Sequence, residues 1–128
     1  MANLPKKWTA ILELKKHKME KFQIFKGEEN NQFYFRFNAS NGEQLLSSEG
    51  YVSKQGCQNG IDSVKTNAPF DATYHRIDTL NDFRYNMVAP NHEVIARSSE
   101  GYTTKHNREH AIEIVKRAAP QAPIEDLT

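Results

Sequence analysis

The pentapeptide SSEGY stands at residues 47–51 and again at 98–102. An exact repeat of five residues needs a cause, and self-similarity is tested before any motif. Laying residues 47–69 over 98–120 gives 11 identities in 23 positions. The matches run well past SSEGY: Lys54 with Lys105, Ile61 with Ile112, Val64 with Val115, Ala68 with Ala119, Pro69 with Pro120. Upstream the offset falls from 51 to 50, pairing Phe33 with Phe83, Phe35 with Tyr85, Phe37 with Met87 and Asn41 with Asn91. A unit of about 50 residues is therefore duplicated. The change of offset places one extra residue of the second copy between Asn91 and Ser98, where a β-bulge is expected to absorb it.

Periodicity describes the unit. QFYFRFN puts Phe33, Phe35 and Phe37 on one face and Tyr34, Arg36 and Asn38 on the other, the pattern of a half-buried strand. KFQIFK before it reads as another strand, with Phe22 and Ile24 on one face. SNGE at 40–43 predicts a tight hairpin into a third strand, EQLLSSE. The period then changes to helical. Ser53 and Thr104 are N-cap candidates, and Cys57, Gly60, Ile61, Val64 and Ala68 recur on one helix face, as do Ala111, Ile112, Val115 and Ala119. Pro69 and Pro120 end the helices, expected over residues 53–67 and 104–118. FDATYHRI and the terminal IEDLT read as further short strands. One such unit has too little core to stand alone. The expected fold is α+β: two tandem β3-α-β repeats in one antiparallel sheet, with both helices on one face and a pseudo-two-fold between the copies. The expected divisions are a basic amphipathic extension over 1–21, a first repeat over 22–71 and a second over 72–128.

The first repeat, with its NGE, SSEGY and NGIDSVKTNA, strongly resembles the YegP-like family, small prokaryotic domains of unknown function. The resemblance covers residues 22–128. It implies two β3-α-β repeats in a single sheet with exchanged C-terminal strands, in chains that are either tandem repeats or single repeats that dimerise. It implies no activity. The second copy departs from the pattern: Asn91-His92 replaces Asn-Gly in the hairpin, and His110-Ala111 replaces Asn-Gly in the helix.

Composition bounds the function classes. The 128 residues carry 17 basic and 16 acidic side chains, so no global field draws the chain to nucleic acid or anionic membrane. The single cysteine, Cys57, permits no internal disulfide and no multi-cysteine zinc site, and suits a reducing cytoplasm. The N-terminal stretch has no apolar run of signal-peptide or membrane-spanning length, so a cytoplasmic location without a membrane span is expected.

Few residues offer chemistry. HNREH at 106–110 fits H-x-x-E-H, in which two histidines one helical turn apart bind zinc beside a glutamate base. The first copy has Gln55, Gly56, Cys57, Gln58 and Asn59 there, so the stretch reads as a solvated helix face, and no metal site or cofactor is expected. Cys57 reads as a small core residue. Gly56 and Gly60 read as close packing of helix on sheet. Glu49 and Tyr51, with their copies Glu100 and Tyr102, stand where they could flank a symmetric pocket, although a solvated Glu and an anchoring Tyr are common architecture at a strand end. The sheet face away from the helices should carry Phe25, Tyr34, Arg36, His75, Arg84 and Asn86, aromatics and arginines able to stack with single-stranded nucleic acid. The arm, with Trp8 and six lysines, reads as an amphipathic helix, with a strand over WTAILEL as the alternative, docked on that face of its own chain, which favours a monomer over a dimer. No catalytic residue is expected. The expected function is a non-enzymatic module binding a protein or small ligand; nucleic-acid binding through the open face and a small enzyme are the alternatives.

Overall fold

Strand alternation and helical spacing translate directly into buried faces. The computed structural model describes residues 19–98 and 101–128; the expected amphipathic arm, with Trp8, falls largely outside the described residues, and so does Glu100. The first half contains β1 (Lys21–Lys26), β2 (Phe33–Asn38), β3 (Gln44–Ser47) and α1 (Lys54–Asn67). The second contains β4 (Tyr74–Thr79), β5 (Asp82–Val88), β6 (Val94–Arg97), α2 (Lys105–Ala118) and β7 (Ile124–Asp126). The seven strands form one sheet in the order β4-β5-β6-β3-β2-β1-β7, so the copies are related by a pseudo-two-fold through the β3–β6 pair.

The sheet is mixed rather than wholly antiparallel. β7 follows the second helix, returns to the first repeat and pairs parallel to β1, with Phe22 opposite Ile124 and Ile24 opposite Asp126. A strand that arrives from a helix above the sheet can enter parallel, whereas the hairpins impose antiparallel pairing on their neighbours. The segment after α1 does not close the first repeat. It passes through a 3-10 turn (Asp71–Thr73) and becomes β4 at the far edge of the second.

The helices start as their caps dictate. Ser53 Oγ accepts from the Gly56 amide at 3.0 Å, and Thr104 Oγ1 accepts from the Asn107 amide at 3.1 Å. Helix and strand stripes then share one core: Phe22, Ile24, Phe35, Phe37, Tyr85 and Met87 from the sheet meet Ile61, Val64, Ile112 and Val115 from the helices, all fully buried. Each such side chain contributes roughly 1.5–3 kcal/mol of burial.

The extra residue of the second copy is not where the sequence alignment puts it. Both copies carry the same bulge, at Phe37/Asn38 and at Met87/Val88, and both hairpins close alike, Ala39 N to Glu43 O and Ala89 N to Glu93 O. Past the hairpins the offset is still 50. Ser48 donates its amide to Phe35 O and accepts the Phe35 amide on Oγ; Ser98 does the same with Tyr85. Only then does the offset become 51, since Phe33 bridges Tyr51 while Phe83 bridges Tyr102. The extra residue therefore falls between Ser98 and Tyr102. The anchoring serine is the second of one SSEGY and the first of the other, because backbone pairing, not letter identity, sets the register. The hairpins differ in one detail: Gly42 has φ +87° and His92, its counterpart, φ +70°, a region that glycine enters freely and histidine at a cost.

Over the second repeat the core gives way to charge. Arg108, 3% exposed, stands where the first copy has Cys57. It pairs with Asp78 and Glu109 and lies over the Phe83 ring. Glu109 also takes Arg76, Arg76 takes Asp71, and Asp71 takes Lys116, which ties α2 to β4. The Asp78 side chain is 43% exposed, so this pair is half wet and its Coulomb energy is screened. The packed stem of Arg108 stabilises more than its charge does. Arg108→Ala should therefore cost about 2 kcal/mol, whereas Arg108→Met, which keeps the stem volume, should cost less than about 1 kcal/mol, both read by chemical denaturation. Equal losses would assign the stability to the charge.

This network, with a separate carboxyl near the C-terminus, sets an acid limit. Hydrogen bonds from Lys116 and Arg76 hold Asp71 down to about 2, those from Thr128 and Lys54 hold Asp126 down to about 2, and Arg76 lowers Glu109. Carboxyls that titrate lower when folded bind fewer protons in the native state, so their contribution is complete above the ordinary carboxylate range and drains away as pH falls. The thermal midpoint should fall as pH drops from about 4.5 to about 2, and Arg76→Gln should flatten that dependence.

Candidate functional site

Tyr51 is the fixed point of a cleft in which the two repeats meet. Its backbone exchanges two hydrogen bonds of 2.8 Å with Phe33. Its ring stacks on Phe35 at 6.3 Å and lies against α1. Gly60 makes room for it: a Cβ there would stand 2.3 Å from the Tyr51 hydroxyl, whereas one on Gly56 would meet ring carbon Cδ1 at an ordinary 3.4 Å. Opposite the ring, the second repeat supplies Glu93, Val94, Ile95 and Arg97, and together with Glu49 and Gly50 these enclose a cleft of about 420 Å³. Arg97 donates to Glu49 Oε1 at 2.8 Å, joining the copies across the cleft. Both side chains are about half exposed or more, so the pair adds little stability and serves to place charge. Burial, then Cys57, Glu49 and Glu93, push the Tyr51 phenol up, so it stays protonated near neutrality. Burial likewise pushes the Cys57 thiol up to about 11, which leaves no thiolate for chemistry.

The pseudo-symmetric cleft is different. It gathers Glu43, Leu45, Tyr102, Asn107, His110 and Ala111 around about 180 Å³. Asn107 and Ala111 occupy the places of Gly56 and Gly60. Tyr51 and Tyr102 thus line two separate clefts, and the glycine pair is present at the larger one.

The residues of the opposite sheet face fall into separate groups. Phe25 and Tyr34 stack at 5.6 Å, and the Arg36 guanidinium sits 4.6 Å from the Phe25 ring. Each is already engaged: Arg36 Nε donates to Gln23 at 2.7 Å, Gln23 donates to Glu125 at 2.7 Å, and Asn30 donates to the Tyr34 hydroxyl at 2.7 Å. Arg84 and Asn86 lie in the second repeat, where Arg84 Nε is held by Asp82 at 3.1 Å and Ile77 takes the place of Phe25. No aromatic stack carries across. His75 instead lines a cavity of about 500 Å³ with His92 and Phe70.

His106 and His110 are exposed on α2, but Glu109 between them turns to Arg76 and Arg108. Those cations hold its carboxyl below the ordinary range, the opposite of what a general base near neutrality needs. Sequence reasoning missed Glu93, Arg97 and Arg108. Glu93 was detectable as the counterpart of Glu43; Arg97 and Arg108 overlie Ser47 and Cys57, and no pattern marks them.

Gly60→Ala should be destabilising by about 1–3 kcal/mol, because the new methyl meets the Tyr51 hydroxyl and Phe35 within 3.0 Å. The reverse change, Ala111→Gly, lacks that conflict and should cost only about 1 kcal/mol of helix propensity. Denaturant midpoints of the pair decide whether the glycine is spatially required.

Comparison with known proteins is consistent with this architecture. The family described as Domain of unknown function (DUF1508) matches twice, over residues 28–74 and 78–126. The UPF0339 protein in the ptx operon 5' region of Stutzerimonas stutzeri is 42% identical over 107 residues, 83% of this chain and 95% of that protein. UPF0339 protein YegP of Escherichia coli K12 is 38% identical over 108 residues, 84% and 96% of the two chains. A solution NMR structure of a UPF0339 protein from Shewanella oneidensis superposes with a TM-score of 0.79 at 36% identity, covering 86% of this chain and 92% of that one. The NMR structure of yegP from E. coli, a protein of unknown function, gives 0.78 at 36% identity, covering 86% and 94%. Two matched repeats, relatives spanned almost end to end and the shared fold make this chain a member of the DUF1508, YegP-like family.

Proposed function

We propose that this protein is a non-catalytic cytoplasmic module that holds a small ligand in the cleft between its repeats, at Tyr51. The observation that carries this reading is the composite lining: Glu49, Gly50 and Tyr51 come from one copy, Glu93, Val94, Ile95 and Arg97 from the other. A cleft of about 420 Å³ is in the usual size range of small-molecule sites, and its lining combines one aromatic and two aliphatic side chains with three charged ones. The non-catalytic reading is supported by the protonated Tyr51 and Cys57, neither of which is activated by a neighbouring base. A buried, isolated thiol suits the reducing cytoplasm. Among the described residues no helix is long and apolar enough to cross a membrane.

The test is amide-shift mapping on the labelled full chain with a fragment set of cationic, anionic and neutral molecules. Saturable shifts should cluster at Gly50, Tyr51, Val94 and Ile95. Shifts confined to Phe25, Tyr34, Arg84 and Asn86, above all with a single-stranded oligonucleotide, would move the site to the sheet face and replace this reading with nucleic-acid binding.

A further inference from the structure

The charges around the cleft do not balance. Its lining holds Glu49, Glu93 and Arg97. Arg97 is committed to Glu49 at 2.8 Å, whereas Glu93 has no ion pair among the described residues. The excess is one negative charge, and it stands beside an aromatic ring. Next to Glu93 the lining is aliphatic: Val94 is exposed, and Ile95, largely buried, lies beside it. A carboxylate beside a phenol ring and an alkyl surface suits an organic cation: the head gains charge attraction, and the chain gains apolar contact.

We propose that the cleft binds a small aliphatic amine or guanidine, with its cationic head between Glu93 and the Tyr51 ring and its alkyl chain along Val94 and Ile95. This rests on the cleft being the ligand site. A space of about 420 Å³ matches a free small molecule in size. The second cleft does not duplicate the site. Its Glu43 has the role of Glu93, but the space is about 180 Å³, with Asn107 and His110 in it.

The experiment compares n-pentylamine and n-pentylguanidine with their near-isosteres n-pentanol and pentanoate, by amide shifts of the labelled full chain. The two cations should shift Gly50, Tyr51, Val94 and Ile95 at concentrations where the alcohol and the carboxylate do not. Glu93→Gln should weaken cation binding about tenfold, and Arg97→Gln, which frees Glu49, should strengthen it about threefold. Opposite directions from two surface substitutions separate charge recognition from damage to the fold, and the thermal midpoint of each variant is read alongside. Raising salt from about 0.15 M to about 1 M should weaken the cations alone. Equal shifts from pentanol or pentanoate, or an unchanged affinity in Glu93→Gln, would overturn cation selectivity while leaving the cleft as a ligand site. If neither these probes nor the wider fragment set moves any cleft amide, the site itself fails. A lysine-bearing peptide that binds tighter than pentylamine would overturn the free small molecule in favour of a protein side chain.

Discussion

The parallel pairing of β7 with β1 is the contact on which the single-domain structure depends. At the centre of the sheet the two copies meet through one residue pair, Ser47 opposite Arg97. That is too little backbone pairing to hold two halves together. The C-terminal segment supplies the rest by crossing back over the first repeat. Pro123 O accepts from the Phe22 amide at 2.9 Å and the Leu127 amide donates to Ile24 O at 2.9 Å. Lys65 donates to Ala122 O at 2.8 Å, and Lys54 holds Asp126 at 2.9 Å. The central strands add one buried bond, from the Tyr85 hydroxyl to Leu45 O at 2.6 Å. Neither repeat closes its own sheet edge, so the folding unit is the pair, and its contacts carry a long-range loop-closure cost that the common core must offset.

The exchange leaves the two outer edges unequal, and the residues there differ accordingly. β1 is covered, so it can place fully buried Ile24 against the core. β4 is an outer edge, and its corresponding position is Arg76, followed by Asp78 two residues on. Both are charged and both are locked into ion pairs with α2. Charges on an exposed edge oppose the addition of a foreign strand. The cation network therefore does at one edge what β7 does at the other.

Duplication also explains why the site is one-sided. Gly60 and Phe35 in the first copy become Ala111 and Tyr85 in the second. The first pair lets Tyr51 lie against the helix with space in front of it. In the second, the hydroxyl of Tyr85 crosses to the other copy and an alanine stands at the helix position. A shared backbone thus carries two junctions, one packed and one open, which differ by a few atoms.

Local pattern alone determined the strands, the helices and their inward faces. Alternation in QFYFRFN and helical spacing after Ser53 and Thr104 are consequences of side-chain geometry along one element, and the duplication made each assignment twice. What lay beyond reach depended on contacts between elements far apart in the chain. The parallel sense of β7 follows from where α2 delivers the chain. The position of the extra residue follows from which serine bonds to Phe35 and Tyr85, and identical letters do not reveal it. Arg108 reads as a solvated residue on its helix, yet the sheet buries it because Asp78 and Phe83 are waiting beneath. The cleft joins residues more than 40 positions apart, since Glu49 and Arg97 become neighbours when the sheet forms. Periodicity reports the face a residue is on; only the packed structure decides which residues of two faces share the same space.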